Sequence, residues 1–280
     1  MLTATFLPTM PVNLLVVTKG HPFDYNSFYA MFDEDPGVNA TVVEQPAAQV
    51  ILRPSNAARY DAVLFYDMWA VRPGPDGAFP APPRGYQRSI EALLDRGTGL
   101  VLLNHALVQW PGWPLWREIS GTSFMLREGN LYGRTVPGSG YRGGAGEPHR
   151  NVNHFLSVAT PGHPVVEDLG DGFAITDELY LKTARFEQDP TIVPLLRSDY
   201  EYVQANFNPP PLAPRQEQAN WRHSPGSNLV VWAKRTHKCP VVAMDSGDGP
   251  AAYQNPAFRR LLSNAIRWVA SDAARAWARG

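Results

Sequence analysis

Short apolar runs alternating with helical segments are the feature that most restricts the fold of this sequence. Runs such as Leu14–Val17 and Leu100–Leu103 are apolar throughout, which is typical of strands buried on both faces of a parallel sheet. Predicted strands cover Asn13–Thr18, Thr41–Glu44, Asp61–Tyr66 and Gly99–Leu103, and helices cover Asn26–Phe32, Pro82–Asp95 and Trp113–Ile119. The alternation predicts βαβ units with right-handed crossovers, and so an α/β fold.

The pattern changes after Gly121, where strand-like segments follow one another with few helices between them. These predicted strands are Ser123–Arg127, His154–Ala159, Ile192–Leu196, Asn228–Lys234 and Val241–Met244. Two Pro- and Gly-containing stretches, Pro137–Pro148 and Gln204–Asn228, are predicted as long loops. Apolar residues at helical spacing predict one closing helix over Asn255–Arg279. No clear linker separates the halves, so a single domain over residues 1–280 is preferred.

Composition excludes several classes of function. The formal net charge is −1 and no run of Lys or Arg occurs, which argues against a nucleic-acid partner. No apolar run approaches the roughly 18 residues that a membrane span needs. The N-terminal residues lack the basic region and small-residue cleavage site of a secretory signal. These features make a cytoplasmic protein the default expectation.

Cys239 is the only cysteine, which excludes an internal disulfide and every zinc site built on several cysteines. It opens the apolar run Cys239–Met244, so we interpret it as a packed thiol rather than a nucleophile. Neither a G-x-G-x-x-G motif nor a P-loop occurs, and a nucleotide cofactor is not indicated.

Polar residues at the ends of the predicted strands are the first candidates for chemistry, because ligands of open α/β sheets bind at the carboxyl ends of strands. Asn104 and His105 follow Leu103, where hydrolases of the nucleophile-elbow type place Ser or Cys. His105 suits acid–base work at neutral pH, or else holds the turn in shape. Asn104 orients substrate or caps the next segment. Asp67 is a catalytic candidate or a turn cap, and His21 faces the same crevice or is a turn residue before Pro22.

Further candidates lie elsewhere in the chain. Glu178 follows a strand-like segment, and one carboxylate of the Asp177–Glu178 pair is expected in the site. His154, together with His21, His105 and an acid, could bind Zn²⁺ or another divalent ion, although no metal-binding spacing such as HxH occurs. Trp69 and Trp110 are candidate platforms for the apolar face of a sugar ring.

Seven segments in chain order resemble the trehalose-utilisation (ThuA-like) family of the class I glutamine amidotransferase-like superfamily. They are Gly20–Phe23, Tyr60–Asp67, Gly99–Ala106, Trp113–Phe124, His163–Leu169, Phe173–Tyr180 and Gly249–Phe258. The resemblance implies a flavodoxin-like, doubly wound, mainly parallel sheet, here with β-rich insertions. It also implies a role in carbohydrate metabolism and loss of the amidotransferase cysteine, and it makes the segment containing Glu178 a hallmark motif.

The sequence departs from the family pattern at one position. Family members typically have Gly-His-Asp before Pro-Ala-Ala, and Asp248 occupies the position of that histidine. Asp248 could still bind a metal or a sugar hydroxyl. Under the resemblance, Asn104, His154 and Asp248 join His21 and the two tryptophans as substrate-binding candidates.

Two hypotheses follow. The first is a sugar-modifying enzyme, a hydrolase or lyase acting on a trehalose-like disaccharide or a keto-glycoside, with His105, Asp67 and Glu178 as acid–base residues. The second is a non-catalytic carbohydrate-binding or regulatory protein on a degenerate amidotransferase scaffold. A functional glutamine amidotransferase is not expected. No cofactor is certain, a divalent metal is the one considered, and an edge strand of the second half could pair with a second copy of the chain.

Overall fold

A computed structural model describes residues 10–144 and 148–280. Its strands are β1 (Val12–Thr18), β2 (Val38–Glu44), β3 (Ala62–Phe65), β4 (Gly99–Leu103), β5 (Gly129–Leu131), β6 (Arg134–Val136), β7 (Gly140–Arg142), β8 (Val152–Val158), β9 (Gly172–Asp177), β10 (Leu179–Thr183), β11 (Ile192–Ser198), β12 (Gly226–Ser227), β13 (Leu229–Thr236) and β14 (Cys239–Met244). Its α-helices are α1 (Tyr25–Asp33), α2 (Ala48–Ile51), α3 (Pro54–Ala57), α4 (Arg84–Arg96), α5 (Pro114–Ser120), α6 (Arg215–Ala219), α7 (Pro250–Tyr253), α8 (Pro256–Ala270) and α9 (Asp272–Ala278).

The described residues form a nine-stranded central sheet in the order β2-β1-β3-β4-β14-β13-β11-β8-β9. Its first five strands pair in parallel, in the flavodoxin-like order 2-1-3-4-5. The predicted α/β fold is therefore confirmed. The remaining strands of the sheet pair antiparallel and form its β-rich extension.

Two apolar layers cover the parallel strands, because successive side chains of a strand point to opposite faces. Leu14 and Val16 of β1 pack in the layer that contains α1 and α8. Leu15 and Val17 pack in the layer that contains α4 and α5. This double coverage explains why the inner strands β3 and β4 are apolar throughout rather than alternating.

A smaller sheet, in the order β12-β10-β7, belongs to the second half of the chain, as does the β5–β6 hairpin. β10 follows β9 after the single residue Glu178, so the smaller sheet lies next to the edge of the central sheet. Among the described helices, none is long and apolar enough to cross a membrane.

Several sequence predictions about the second half are wrong. Ser123–Arg127 is buried but irregular, since Phe124 donates to the Leu107 carbonyl and Met125 exchanges hydrogen bonds with Ser139 instead of joining a ladder. The closing helix divides at Ser271 into α8 and α9. β10 was not predicted.

The two long loops contain regular structure. The Pro137–Pro148 stretch contains β7, and its residues 145–147 lie outside the described part of the chain. The Gln204–Asn228 stretch contains α6 and β12.

Candidate functional site

Three side chains from different strand ends converge above the parallel sheet. His21 follows β1, His105 lies in a 3₁₀ turn that follows β4, and Asp248 follows β14. Ligand-type atoms of all three lie within 4.8 Å of one another. The His105 Nε2 atom is 3.0 Å from Asp248 Oδ1, and the two imidazole ring centres are 4.0 Å apart. We call these residues the His21–His105–Asp248 triad.

The position of His21 depends on the backbone before it. Gly20 has φ +95°, and a Cβ atom there would lie 2.1 Å from the Met68 carbonyl oxygen. Only glycine allows this close approach to the segment that follows β3. Met68 also donates its amide to the Lys19 carbonyl at 2.7 Å. The turn after β1 is thereby fixed against the turn after β3.

The turn after β4 is held by Asn104, which has a left-handed backbone (φ +40°) and is fully buried. Its side-chain amide donates to the Asp245 carbonyl at 2.5 Å, and its oxygen accepts from the Tyr180 hydroxyl at 3.2 Å. Asn104 therefore joins β4 to the turn after β14 and to β10. The Asn104 side chain connects backbone elements and shapes the turn that presents His105.

Asp177 holds the turn that contains Asp248. Its carboxylate accepts from the amides of Gly247 at 2.6 Å, Asp248 at 3.1 Å and Glu178 at 2.9 Å. Burial raises the pKa of Asp177 to about 7, with a further contribution from the Asp248 carboxylate, although the three amide donors oppose the shift. The Asp177 carboxylate thus stabilises the backbone of this turn by accepting its amide hydrogens. Glu178 is the member of the pair that faces the cavity.

His21, His105 and Glu178 line a cavity of about 280 Å³, and Asp248 contacts it only through His105. This volume is close to the lower limit of roughly 300 Å³ for small-molecule sites, which suits a ligand the size of one sugar ring. Phe124, Tyr141 and Tyr180 supply aromatic walls. Flat rings of this kind pack against the apolar face of a sugar. The cavity therefore combines an apolar wall with a few polar groups.

Protonation at the cavity is set mainly by burial. Burial, and next the Asp248 carboxylate, raise the pKa of Glu178 well above its ordinary range, so this carboxyl favours its protonated form. Burial lowers the pKa of His21 to about 4, and His105 contributes in the same direction. The His21 imidazole is consequently neutral at neutral pH, with a free lone pair on one nitrogen.

A buried ion pair lies behind the cavity wall. Lys182 of β10 donates to the Asp245 carboxylate, and both side chains are almost completely buried. Asp245 also follows β14, so the pair joins the smaller sheet to the central sheet. The neighbouring carboxylates Asp177, Glu178 and Asp248 receive no ion pair from Lys182 among the interactions described.

Other sequence candidates lie away from this cavity. Asp67 follows β3 at the same sheet edge, but its carboxylate accepts from Gln45 at 2.9 Å and lies near Tyr86, in the layer of α4. Trp110 is buried with its ring centre 5.6 Å from that of Tyr86. Trp69 packs against the same layer. His154 lies on β8, where its Nδ1 pairs with the Ser198 hydroxyl at 2.8 Å.

Sequence reasoning missed several residues of the site. Phe124, Tyr141 and Tyr180 form the aromatic cavity wall that was expected from Trp69 and Trp110. Asp177 and Asp245 lie outside the cavity lining and hold the turns that present Asp248 and His105. One signal was present: side chains two apart in an extended segment share a face, so Glu178 predicts Tyr180 on its own side of the chain. The aromatic residues at 124 and 141 gave no comparable signal, because they lie in irregular or very short segments.

Comparisons with known proteins agree with this description. The family model described as ThuA, trehalose utilisation, matches residues 13–269. The fold is similar to that of a ThuA-like protein from Parabacteroides merdae, with TM-score 0.60, 16% identity and coverage of 93% of this chain and 90% of that chain. A ThuA-like protein from Bacteroides uniformis gives TM-score 0.60, 14% identity and coverage of 96% and 95%.

A glutamine amidotransferase from Thermotoga maritima is also similar, with TM-score 0.46, 10% identity and coverage of 94% of this chain and 100% of that chain. Among curated protein sequences, none matches this chain.

Proposed function

Because this chain belongs to the trehalose-utilisation (ThuA) family, we propose that it is a sugar-modifying enzyme of disaccharide or keto-sugar metabolism that works by proton transfer at the described cavity. The family resemblance expected from the sequence is confirmed. The observation that supports an enzyme is that Glu178, a carboxyl with a raised pKa, lines one cavity together with the imidazoles of His21 and His105. Perturbed acids in a cleft are typical of catalytic sites.

The residues of the cavity have different roles in the proposed reaction. Glu178 moves the proton, because a carboxyl with a raised pKa stays protonated near neutral pH and can donate, and is a stronger base when ionised. The His21 and His105 imidazoles face the reacting oxygen and stabilise negative charge that develops on it. Phe124 and Tyr180 position the sugar ring. No thiol takes part in this scheme.

For a 3-keto-glycoside, this arrangement supports elimination of the anomeric substituent. The Glu178 carboxylate takes the proton from C2, and the electron pair of that C–H bond forms the C2=C3 enolate, with the negative charge on the C3 oxygen. The C3 carbonyl then re-forms, the electron pair makes the C1=C2 double bond, and the C1–O bond breaks with its electrons on the anomeric oxygen. Glu178 then returns the proton to the departing anomeric oxygen. The His21 and His105 imidazoles stabilise the C3 oxygen while it carries the negative charge of the enolate.

The absence of a nucleophile at the usual place favours this chemistry over amide hydrolysis. Asn104 occupies the elbow, and its amide is engaged in backbone contacts. Cys239 is fully buried, its thiol donates to the Thr98 carbonyl at 2.8 Å, and burial raises its pKa, so it remains a thiol.

An assay on trehalose, other glucosides and their 3-keto derivatives, followed by NMR, tests the proposal. We expect turnover of at least one substrate, and we expect Glu178→Gln to lower kcat by about 10²- to 10⁴-fold, the usual contribution of a general acid or base. Glu187→Gln is the matched control, because Glu187 is a partly buried carboxylate bonded to Ser227 and Arg197 outside the cavity. Equal turnover in wild type and Glu178→Gln would remove Glu178 from the mechanism.

The alternative function is non-catalytic carbohydrate binding, which the amide at the nucleophile position also fits. Isothermal calorimetry separates the two. Saturable binding of a sugar, with no product from any substrate in the panel, would support the binding function and contradict the enzymatic one.

A further inference from the structure

We infer that His21, His105 and Asp248 bind one divalent transition-metal ion, with open coordination positions directed toward the cavity and Glu178. The inference rests on the proposed function only for the choice of cavity, and the metal is expected to bind in the absence of any sugar. Three features of the triad support a bound ion: the spacing of its donor atoms, its unsatisfied buried groups and the local charge.

The donor atoms have the spacing that a shared ion requires. Metal–nitrogen and metal–oxygen bonds of about 2.0–2.2 Å place two ligands of one ion roughly 3 to 4 Å apart. His105 Nε2 and Asp248 Oδ1 are 3.0 Å apart, and the whole triad lies within 4.8 Å. His21 is the least buried of the three, so rotation of its side chain can close the remaining distance.

The polar atoms of the triad are poorly satisfied by the described part of the protein. Asp248 is 1% exposed, yet neither of its carboxylate oxygens accepts a hydrogen bond there. The contact with His105 has the distance of an ion pair without hydrogen-bond geometry. A buried carboxylate without partners is costly, and proteins normally pair such a group or coordinate a metal with it.

The local charge also favours a cation. Four acidic residues lie close together here: Asp177, Glu178, Asp245 and Asp248. The Asp248 charge raises the pKa of Asp177 and of Glu178. The nearby cation, Lys182, is paired with Asp245. A divalent ion beside Asp248 balances this excess of acidic groups. The structure therefore has both ligands and an electrostatic reason for an ion at the triad.

The donor set indicates the class of ion. Two imidazoles and one carboxylate suit Zn²⁺, Fe²⁺ and Mn²⁺, whereas Mg²⁺ and Ca²⁺ prefer oxygen donors alone. Three protein ligands leave positions for water or substrate, as in catalytic metal sites. An ion at this place would supply Lewis-acid stabilisation of a sugar oxygen, and Glu178 would remain the proton-transferring group.

Metal binding by the full chain, stripped with a chelator and measured without sugar, tests the inference. Titration with Zn²⁺ by calorimetry is expected to give one equivalent per chain, and Co²⁺ is expected to give a visible absorption band that Zn²⁺ displaces. Mg²⁺ is expected to bind at least 100-fold more weakly than Zn²⁺. Absence of stoichiometric Zn²⁺ binding, or equal affinity for Mg²⁺, would overturn the assignment.

Variants locate the site. His21→Gln and Asp248→Asn are each expected to weaken Zn²⁺ binding at least 100-fold. His21 is partly exposed, so His21→Gln tests the site even if Asp248→Asn fails to fold. His163→Gln is the matched control, because His163 is a partly buried histidine that accepts from the Val165 amide outside the cavity. Unchanged Zn²⁺ affinity in His21→Gln would refute the site.

The inference and the proposed function can fail separately. Stoichiometric metal binding without turnover of any sugar supports the metal site and contradicts the enzyme. Full turnover by protein that binds no Zn²⁺ in the titration contradicts the metal site and leaves proton transfer by Glu178 intact.

Discussion

Asp67 shows how a residue can be at the correct sheet edge and still face away from the cavity. It follows β3, between the strands that lead to His21 and His105, as the sequence indicates. Its carboxylate, however, accepts from Gln45 and lies near Tyr86 and Gln109 in the opposite layer. Whether Asp67 faces the cavity or the opposite layer depends on the direction of its side chain after the end of β3. No sequence pattern encodes that direction.

The buried Asp67 carboxyl gives the protein a measurable pH dependence. Burial raises its pKa from 3.8 to about 7, so the folded protein keeps a proton that the unfolded chain releases between these values. The free energy of unfolding therefore falls as pH rises through that window. Asp67→Asn removes the effect, and the variant should gain about 3 kcal/mol on wild type between roughly pH 5 and pH 8.

Urea unfolding of both proteins across this pH range measures the difference. Stability profiles that stay parallel from acid to alkaline pH would contradict the raised pKa of Asp67.

Other residues of the site were predictable because a rule fixes their position. His21, His105 and Asp248 follow strands or family segments whose carboxyl ends meet at one edge. Trp69 and Trp110 follow strands too, but they lie in long irregular connections, where neither residue spacing nor a strand register determines which way a ring points. The aromatic wall consequently comes from Phe124, Tyr141 and Tyr180.

At the scale of secondary-structure elements, the inner parallel strands β1, β3 and β4 agree closely with the sequence predictions because nearly all their residues are apolar and buried. β10 was missed for a physical reason. It is almost completely buried, yet it contains Lys182, so it shows neither a continuous apolar run nor an alternating pattern. A charged residue in a buried strand requires a partner that is distant in sequence, here Asp245.

The division of the closing helix at Ser271 is another local effect that periodicity did not reveal. The Ser271 side chain accepts from the Ala274 amide at 3.1 Å and begins α9 while its backbone is extended. Ser271→Ala should lower the free energy of unfolding by about 1 kcal/mol, the usual loss for an N-cap. Ser271→Asp keeps an acceptor and should stay close to wild type. Chemical denaturation measures both variants, and an unaffected Ser271→Ala would show that the cap contributes nothing.

At the scale of the whole molecule, the Lys182–Asp245 pair connects the smaller sheet to the central sheet. Removal of one member leaves the other charged and buried, so Lys182→Met should destabilise the protein by about 3–5 kcal/mol. The double variant Lys182→Met/Asp245→Asn should recover part of the loss, because no unpaired charge remains. A double-mutant cycle from urea unfolding checks this, and additive losses would show that the two side chains are not coupled.

The cavity lies between two parts of the fold that contribute different groups. The turns after β1, β4 and β14 of the parallel sheet supply His21, His105 and Asp248, whereas Glu178, Tyr180 and the ring of Phe124 come from chain segments outside the parallel strands. Substitutions in those outer segments can reshape the ligand contacts without moving the imidazoles. Related proteins could therefore diverge in what they accept while the turns of the parallel sheet remain as they are.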